Sequence, residues 1–355
     1  MKLIKYLLVI ISFYMLPFIG YSSIRIDHVT VVDVIHKQIL YDQEIIIENG
    51  IILSIRNQPE IPTPADSVIN GSGKIAMPGF INTHTHLWQH IARGYYPNGT
   101  LQEWIKIYRV AHYMNSEELF NVMLAACNDA LLSGITTVAD FSSVNFTDNA
   151  LDVVCNAMKT SEIDGAVMYW YPASFMPDDM KEQHINSLQQ KYNPNIQIWM
   201  AQGPLSFFSL TSVYSGIQLA KKLNIPLSEH VMENVREQYD FYNTIKKYVS
   251  NYGDLLNNDD KAFLESLLQN GPPSKVSAME MIRRLAIQTL EVSDEELTTG
   301  EKRQLTYLAT RNYSSPVPLL DYLGALRNFI SIHSVWTLPA DIELFKKEGN
   351  NPYLP

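Results

Sequence analysis

The sequence predicts an α/β protein in which a small β-rich module precedes a larger body of repeated strand and helix units, the pattern of a (β/α) barrel or a doubly wound parallel sheet. Three observations carry this expectation. Strand-like apolar runs alternate with helical ones from Phe80 onward. Asn49-Gly50 joins two β-branched apolar runs, the strongest short-range hairpin signal. The 355 residues, 46% of them hydrophobic, suffice for a sizeable core.

The β module spans 24–77, with strands expected at Ile26 to Val32, Glu44 to Glu48 and Ile51 to Arg56. The main body, 78–355, offers successive strands at Phe80 to His84, Ile135 to Phe141, Gly165 to Tyr171, Ile196 to Met200, Ile225 to His230 and Phe329 to His333. Ser116 is expected to cap a helix that places Leu119, Met123, Ala126, Cys127 and Leu131 on one face. That helix should end at Gly134, which suits the left-handed position beyond a C-cap. A second helix is expected from Thr211 or Ser212 to Leu223. Between the fifth and sixth strands lie about ninety residues, far more than such connections need. Capping boxes at Ser277-Ala-Met-Glu280 and Ser293-Asp-Glu-Glu296 make this a structured helical insertion, placed at 241–313.

Charge and cysteine content exclude several function classes. With 37 acidic against 27 basic residues the net charge is −10, and no basic cluster supplies the counterion release on which nucleic-acid or anionic-lipid binding rests. Cys127 and Cys155 form neither a disulfide framework nor a zinc spacing. At the N-terminus Lys2 and Lys5 precede an apolar run from Leu7 to Ile19, then Gly20-Tyr-Ser-Ser23, the outline of a signal peptide over 1–22. The run has 13 residues and contains Pro17, shorter than the ~20 needed to cross a bilayer. Cleavage near Ser22 and export, periplasmic or secreted, are expected, with no permanent membrane span.

The chemistry gathers at strand ends. His84 and His86 stand at i, i+2, so both imidazoles lie on one face of an extended chain and can share a metal ion. With 9 histidines in the chain, chance gives roughly 0.2 such pairs, so the spacing alone is weak and its place at a strand's C-terminal end strengthens it. His230 and Glu233 follow the fifth strand, and His333 closes the sixth.

The run Pro78-Gly-Phe-Ile-Asn-Thr-His84-Thr-His86-Leu87, with Gln89 and Arg93-Gly94 after it, resembles the first-strand motif of the amidohydrolase superfamily, most of all its cytosine-deaminase and chlorohydrolase branch. Glu48-Asn-Gly-Ile-Ile52, Ser133-Gly-Ile-Thr-Thr-Val-Ala-Asp140, His230-Val-Met-Glu233 and Ser331-Ile-His333-Ser-Val-Trp336 extend the resemblance over nearly the whole chain after the signal. It implies a (β/α)8 TIM-barrel-type domain behind an N-terminal β-sandwich module. It also implies one divalent metal ion, zinc or iron, on His84, His86 and His230, with Glu233 moving protons and His333 steadying charge on the substrate. Gln89 is a candidate substrate contact. The implied reaction is hydrolysis of a carbon–nitrogen bond other than a peptide bond by metal-activated water, on a small molecule of amino-heterocycle or cyclic-amide type. Asp140 has no catalytic duty in this resemblance, and His28, His36, His90, His112 and His184 match nothing in it.

The departure from the pattern lies at the C-terminus. The superfamily's eighth-strand aspartate has no counterpart, because Gly349-Asn-Asn-Pro-Tyr353 reads as the start of a seventh-strand region and the sequence ends at Pro355. An incomplete, C-terminally truncated barrel of about six to seven strands is expected. The missing aspartate favours an alternative, a catalytically inactive relic or binding protein on the same barrel; retention of the histidines and Glu233 opposes it.

Overall fold

The computed structural model describes residues 23–96, 101–144, 149–171, 177–203, 209–233, 235–269, 315–335, 337 and 339–347. The chain divides into two compact units, Met1–Gly79 and Phe80–Pro355. In the first, the strands β1 (Ser23–Asp33), β2 (Gln38–Glu48), β3 (Ile51–Asn57), β4 (Ser67–Asn70) and β5 (Ile75–Ala76) form one sheet of order β3-β2-β1-β4, with β5 also paired to β1. β1, β2 and β3 run antiparallel, while β4 and β5 lie parallel to β1. The hairpin expected at Asn49-Gly50 is present, with φ of 51° and 78°, the two positive values a type I′ turn demands. Val29, Val31 and Ile45 form its small core. The carboxylate of Glu44 is also buried, and it is satisfied by Arg56 Nε at 2.9 Å, Thr63 N–H at 3.0 Å and Thr63 Oγ1 at 2.8 Å.

The second unit is built on six parallel strands, β6 (Phe80–Thr85), β7 (Ile135–Asp140), β8 (Asp164–Trp170), β9 (Ile196–Gln202), β10 (Leu227–Val231) and β11 (Phe329–His333). Spatial order follows chain order from β6 to β11. Their apolar runs are nearly continuous because both faces are covered. Ala139, Phe141, Met168, Ala201 and Ile332 form one cluster with Trp170 and Trp199, whereas the alternate positions Val138, Val167, Tyr169, Ile198 and Met200 join the larger core shared with the helices. This arrangement is the incomplete (β/α) barrel that the strand and helix alternation anticipates.

The helices that cover the outer face are α1 (Ser116–Leu132), α2 (Ala150–Ser161), α3 (Asp178–Tyr192) and α4 (Leu210–Leu223). Two caps differ from expectation. Asn115, not Ser116, caps α1: its side chain accepts Glu118 N–H at 2.9 Å while Glu118 accepts Asn115 N–H at 2.9 Å. The reciprocal box needs an acidic residue three positions on, which Asn115 has and Ser116, facing Leu119, lacks. Helix α4 starts at Leu210, with Ser209 as its cap, ahead of the expected Thr211 or Ser212. Gly134 ends α1 with φ of 81°, as anticipated. After β10 come α5 (Val235–Tyr252) and α6 (Asn258–Ser266), then α7 (Val317–Tyr322) before β11 and α8 (Pro339–Lys347) after it. The capping boxes at Ser277 and Ser293, the signal segment 1–22 and the run Gly349 to Tyr353 lie outside the described residues. No described helix is long and apolar enough to cross a membrane.

Candidate active site

Four imidazoles meet at the C-terminal ends of β6, β10 and β11. His84 and His86 project from the end of β6 with ring centroids 4.9 Å apart. His230, on β10, lies 4.9 Å from His84 and 5.3 Å from His86. His333, the last residue of β11, stands 5.1 Å from His230 and 5.2 Å from His84. One nitrogen from each of His84, His86 and His230 falls within 4.8 Å of the others, the spacing of donors that could share a metal ion. Glu233 comes in from the segment after β10, its Oε1 3.7 Å from His333 Nε2. Both side chains keep an open side, at 28% and 32% exposure, so a small molecule can reach them.

Burial sets the protonation of the cluster. It holds His84 down to about 4 and His86 down to about 3, and drives His230 well below the usual imidazole range, with the neighbouring rings adding to the effect. His333 is lowered by burial as well. All four are therefore neutral at pH 7 and carry free lone pairs. The same burial raises Glu233, making it a more willing proton acceptor than an exposed glutamate.

β7 fixes the His84–His86 segment from the side. Phe141 N–H donates to Thr85 O at 2.8 Å, and Phe141 O accepts the Nδ1–H of His86 at 2.8 Å. That bond puts the His86 proton on Nδ1 and leaves Nε2 as the free donor atom. Asp140, fully buried, accepts the Leu87 N–H at 2.7 Å through Oδ1, and burial pushes its carboxyl up to about 7. Sequence reasoning assigned Asp140 no chemistry, and the structure gives it a backbone contact next to His86. Around the same histidine runs a closed circuit of aromatic rings. His86 meets Trp104 at 5.5 Å, Trp104 meets Tyr108 at 5.9 Å and Tyr108 meets Trp170 at 5.7 Å. Trp170 then meets Phe141 at 6.5 Å, and Phe141 returns to His86 at 5.5 Å. Ser143 ties this wall down, accepting from Trp88 Nε1 at 3.3 Å and bonding Tyr108 Oη at 2.9 Å.

With this geometry in view, the sequence profile described as "Amidohydrolase family" matches residues 75–351. The chain belongs to the amidohydrolase family. It is 28% identical over 204 residues to the 5′-deoxyadenosine deaminase of Methanocaldococcus jannaschii, covering 55% of this chain and 47% of that protein. The adenosine deaminase of Xanthomonas campestris, solved with bound zinc, superposes with a TM-score of 0.63 at 18% identity over 93% of this chain and 61% of its own. The zinc complex of atrazine chlorohydrolase from Arthrobacter aurescens gives a TM-score of 0.51 at 21% identity, over 65% of this chain and 56% of its own. The match spans 47% of the length of the Methanocaldococcus jannaschii relative and 29% of the 5′-deoxyadenosine deaminase of Methanosarcina mazei, so this amidohydrolase chain corresponds to at most about half of them.

The donor set of this amidohydrolase fits a divalent transition metal. His84 Nδ1 is buried with no hydrogen-bond partner in the structure, and the Phe141 contact frees His86 Nε2. Neutral imidazoles at this spacing suit zinc or iron. Gln89, singled out in the sequence, sits on the helical turn Leu87–Ala92 directly after His86, with its Nε2 likewise buried and unpartnered. The remaining histidines take local roles: His28 bonds Asp42 and His36 bonds Asp33, each at 2.7 Å on the surface, and His184 packs edge-on to Tyr169.

Proposed function

We propose that this chain carries the metal site and proton-transfer groups of a hydrolase that cleaves carbon–nitrogen bonds other than peptide bonds in small planar molecules, in the manner of deaminases or chlorohydrolases. The observation that carries the proposal is the convergence of the His84, His86 and His230 donor atoms within 4.8 Å, with the Glu233–His333 pair beside them. One divalent ion, zinc or iron, held by these three nitrogens supplies the Lewis acidity that makes water nucleophilic at neutral pH.

The chain's own residues supply the rest. Glu233, raised by burial, takes a proton from the attacking water and returns it to the leaving nitrogen. His333, neutral and 3.7 Å from Glu233, donates from its ring N–H toward negative charge that develops on the substrate. Gln89 Nε2 offers a hydrogen bond whose satisfaction a polar ring substituent would provide. The aromatic circuit of Trp104, Tyr108, Trp170 and Phe141 favours a flat, apolar-faced substrate. An amino-heterocycle meets all of these demands, and the deaminase relative named above supplies a specific candidate in 5′-deoxyadenosine.

The test is ammonia release from 5′-deoxyadenosine, adenosine, guanine and an aminotriazine by protein loaded with zinc or iron(II). Turnover of at least one, abolished by a chelator and restored by metal, is expected. A protein that binds metal but releases no ammonia from any of them would replace this reading with that of a non-catalytic binding protein.

A further inference from the structure

The backbone just after β10, at Met232 and Glu233, is held by a side chain of α5. Met232 is left-handed, with φ of 51°, a conformation that a side-chain-bearing residue adopts only where its surroundings impose it. The group that meets this backbone is Glu237, in the first turn of α5 and 5% exposed. Its Oε1 accepts the Met232 N–H at 2.8 Å and its Oε2 accepts the Glu233 N–H at 2.9 Å. Two consecutive amides thus point into one carboxylate fork. Only a carboxylate presents two acceptors there; a glutamine would turn a donor toward one of the amides.

From this geometry we propose that Glu237 is a positioning residue for Glu233, locking the turn that keeps the Glu233 carboxylate beside His333. The proposal rests on the proton-transfer role given to Glu233 above, and extends it to a residue four positions on that binds the Glu233 backbone. The physical logic is that of a catalytic group on a loop, where misplacement by a fraction of the side chain's reach costs rate even when every reacting group is present. The strand fixes His230, but Glu233 lies beyond its last residue, Val231. Glu237 ties this turn to α5 instead.

The experiment is nuclear magnetic resonance of the full chain, loaded with zinc and carrying 15N-labelled histidine, with the His333 ring nitrogens as reporters of the nearby carboxylate. Glu233→Gln should move the His333 resonances, and Glu237→Gln should move them in the same direction while the zinc dissociation constant stays within about 3-fold of wild type. Glu237→Asp, which retains both acceptors on a shorter arm, should give a smaller displacement, and serves alone should Glu237→Gln not fold. Where turnover is measurable, kcat should fall about tenfold or more in Glu237→Gln with KM within about 3-fold, because the proton carrier and not the binding surface is displaced. Unmoved His333 resonances in both Glu237 variants, alongside a clear change in Glu233→Gln, would overturn the positioning role and leave the Glu233 assignment standing. Loss of zinc in Glu237→Gln without movement of His333 would equally overturn it, by making Glu237 a support of His230. If Glu233→Gln itself leaves His333 unmoved, the Glu233–His333 pair fails as a functional unit, and the positioning role falls with it.

Discussion

The rings of His84 and His333 stand 5.2 Å apart, although β6 and β11, the strands that carry them, are the two edges of the six-stranded sheet. In a flat sheet, five inter-strand spacings of about 4.8 Å would separate those edges by about 24 Å. The sheet must therefore curl until its edges approach, and the histidine cluster exists only because it does. A metal ion held by His84, His86 and His230 would couple binding to barrel curvature, because its donors come from β6 and β10, strands that are not neighbours in the sheet.

Removing the β6 ligands should therefore empty the site. The double substitution His84→Ala and His86→Ala is expected to reduce bound metal from about one equivalent per chain to background, since His230 alone is a monodentate ligand. Elemental analysis of the purified protein checks this, and an unchanged metal content would remove the site assignment. The wild-type chain should also gain several degrees in melting temperature on adding zinc, and the double variant should not.

Glu233→Gln separates binding from chemistry. The amide keeps the size of the side chain but cannot carry a proton, so metal content should be unchanged while turnover slows by about 10²-fold or more. The comparison is made at equal metal loading, and a variant within about twofold of wild type in kcat would assign the proton transfer elsewhere.

What the sequence made legible follows from where each group's role is encoded. His84, His86, His230 and Glu233 sit in short motifs at strand ends, and a period-2 strand brings i and i+2 to one face whatever the rest of the fold does. Asp140 and Glu237 act instead by accepting backbone N–H groups of other segments, Leu87 in one case and Met232 with Glu233 in the other. No side-chain pattern announces such a bond; it follows from the register of β6 on β7, with Thr85 opposite Asp140, and from the turn after β10. Trp104 and Tyr108 lie on short helical turns, Leu101–Trp104 and Tyr108–Ala111, too brief to show a period. The start of α1 was within one residue because Asn115 and Ser116 are both good caps, and only Glu118 chooses between them.

The neutral histidines make the metal-free protein acid-sensitive. His84, His86, His230 and His333 all titrate lower in the folded chain than the ordinary value near 6.5, so between about pH 3 and 6.5 the unfolded chain binds more protons. Their contribution is complete above about 6.5 and is lost as pH falls. Asp140 works in the opposite sense: raised to about 7, it makes the folded chain bind the extra proton between about pH 4 and 7, which favours folding toward acid. Glu233, which burial also raises, works in the same sense as Asp140. Four groups against two give a melting temperature that falls on acidification of chelator-treated protein from about pH 7.5 to 5. Asp140→Asn removes one of the two opposing contributions, so the fall should steepen. A melting temperature that rises toward pH 5 would contradict the neutral histidine cluster.

Gly165 and Gly216 test whether β7 supports the site from the side. A methyl group at Gly165 would lie 2.0 Å from Val138 O, a backbone atom of β7 in direct register with it. Backbone cannot swing aside as a side chain can, so Gly165→Ala must push β8 from β7, at a cost of about 3 kcal/mol, the upper end of ordinary overpacking. In a unit of this size that is a drop of about 6–12 °C in melting temperature. Val138 lies two residues before Asp140 and three before Phe141, whose carbonyl holds the His86 ring. The displacement should therefore also weaken zinc binding, by about tenfold, in the range typical for disturbing a group that orients a ligand. Gly216→Ala is the matched control, because its methyl would lie 1.8 Å from Gln202 Nε2, a side-chain atom bonded to Val213 O beneath α4. It should cost stability through the lost amide bond while leaving zinc affinity within about 3-fold of wild type, since the clash falls on the end of the Gln202 side chain, which can turn aside without moving the β9 backbone that pairs with Glu229 of β10. Chelator competition on both variants decides the matter: equal zinc affinities in Gly165→Ala and wild type, at a lowered melting temperature, would show that β7 shapes the fold without tuning His86.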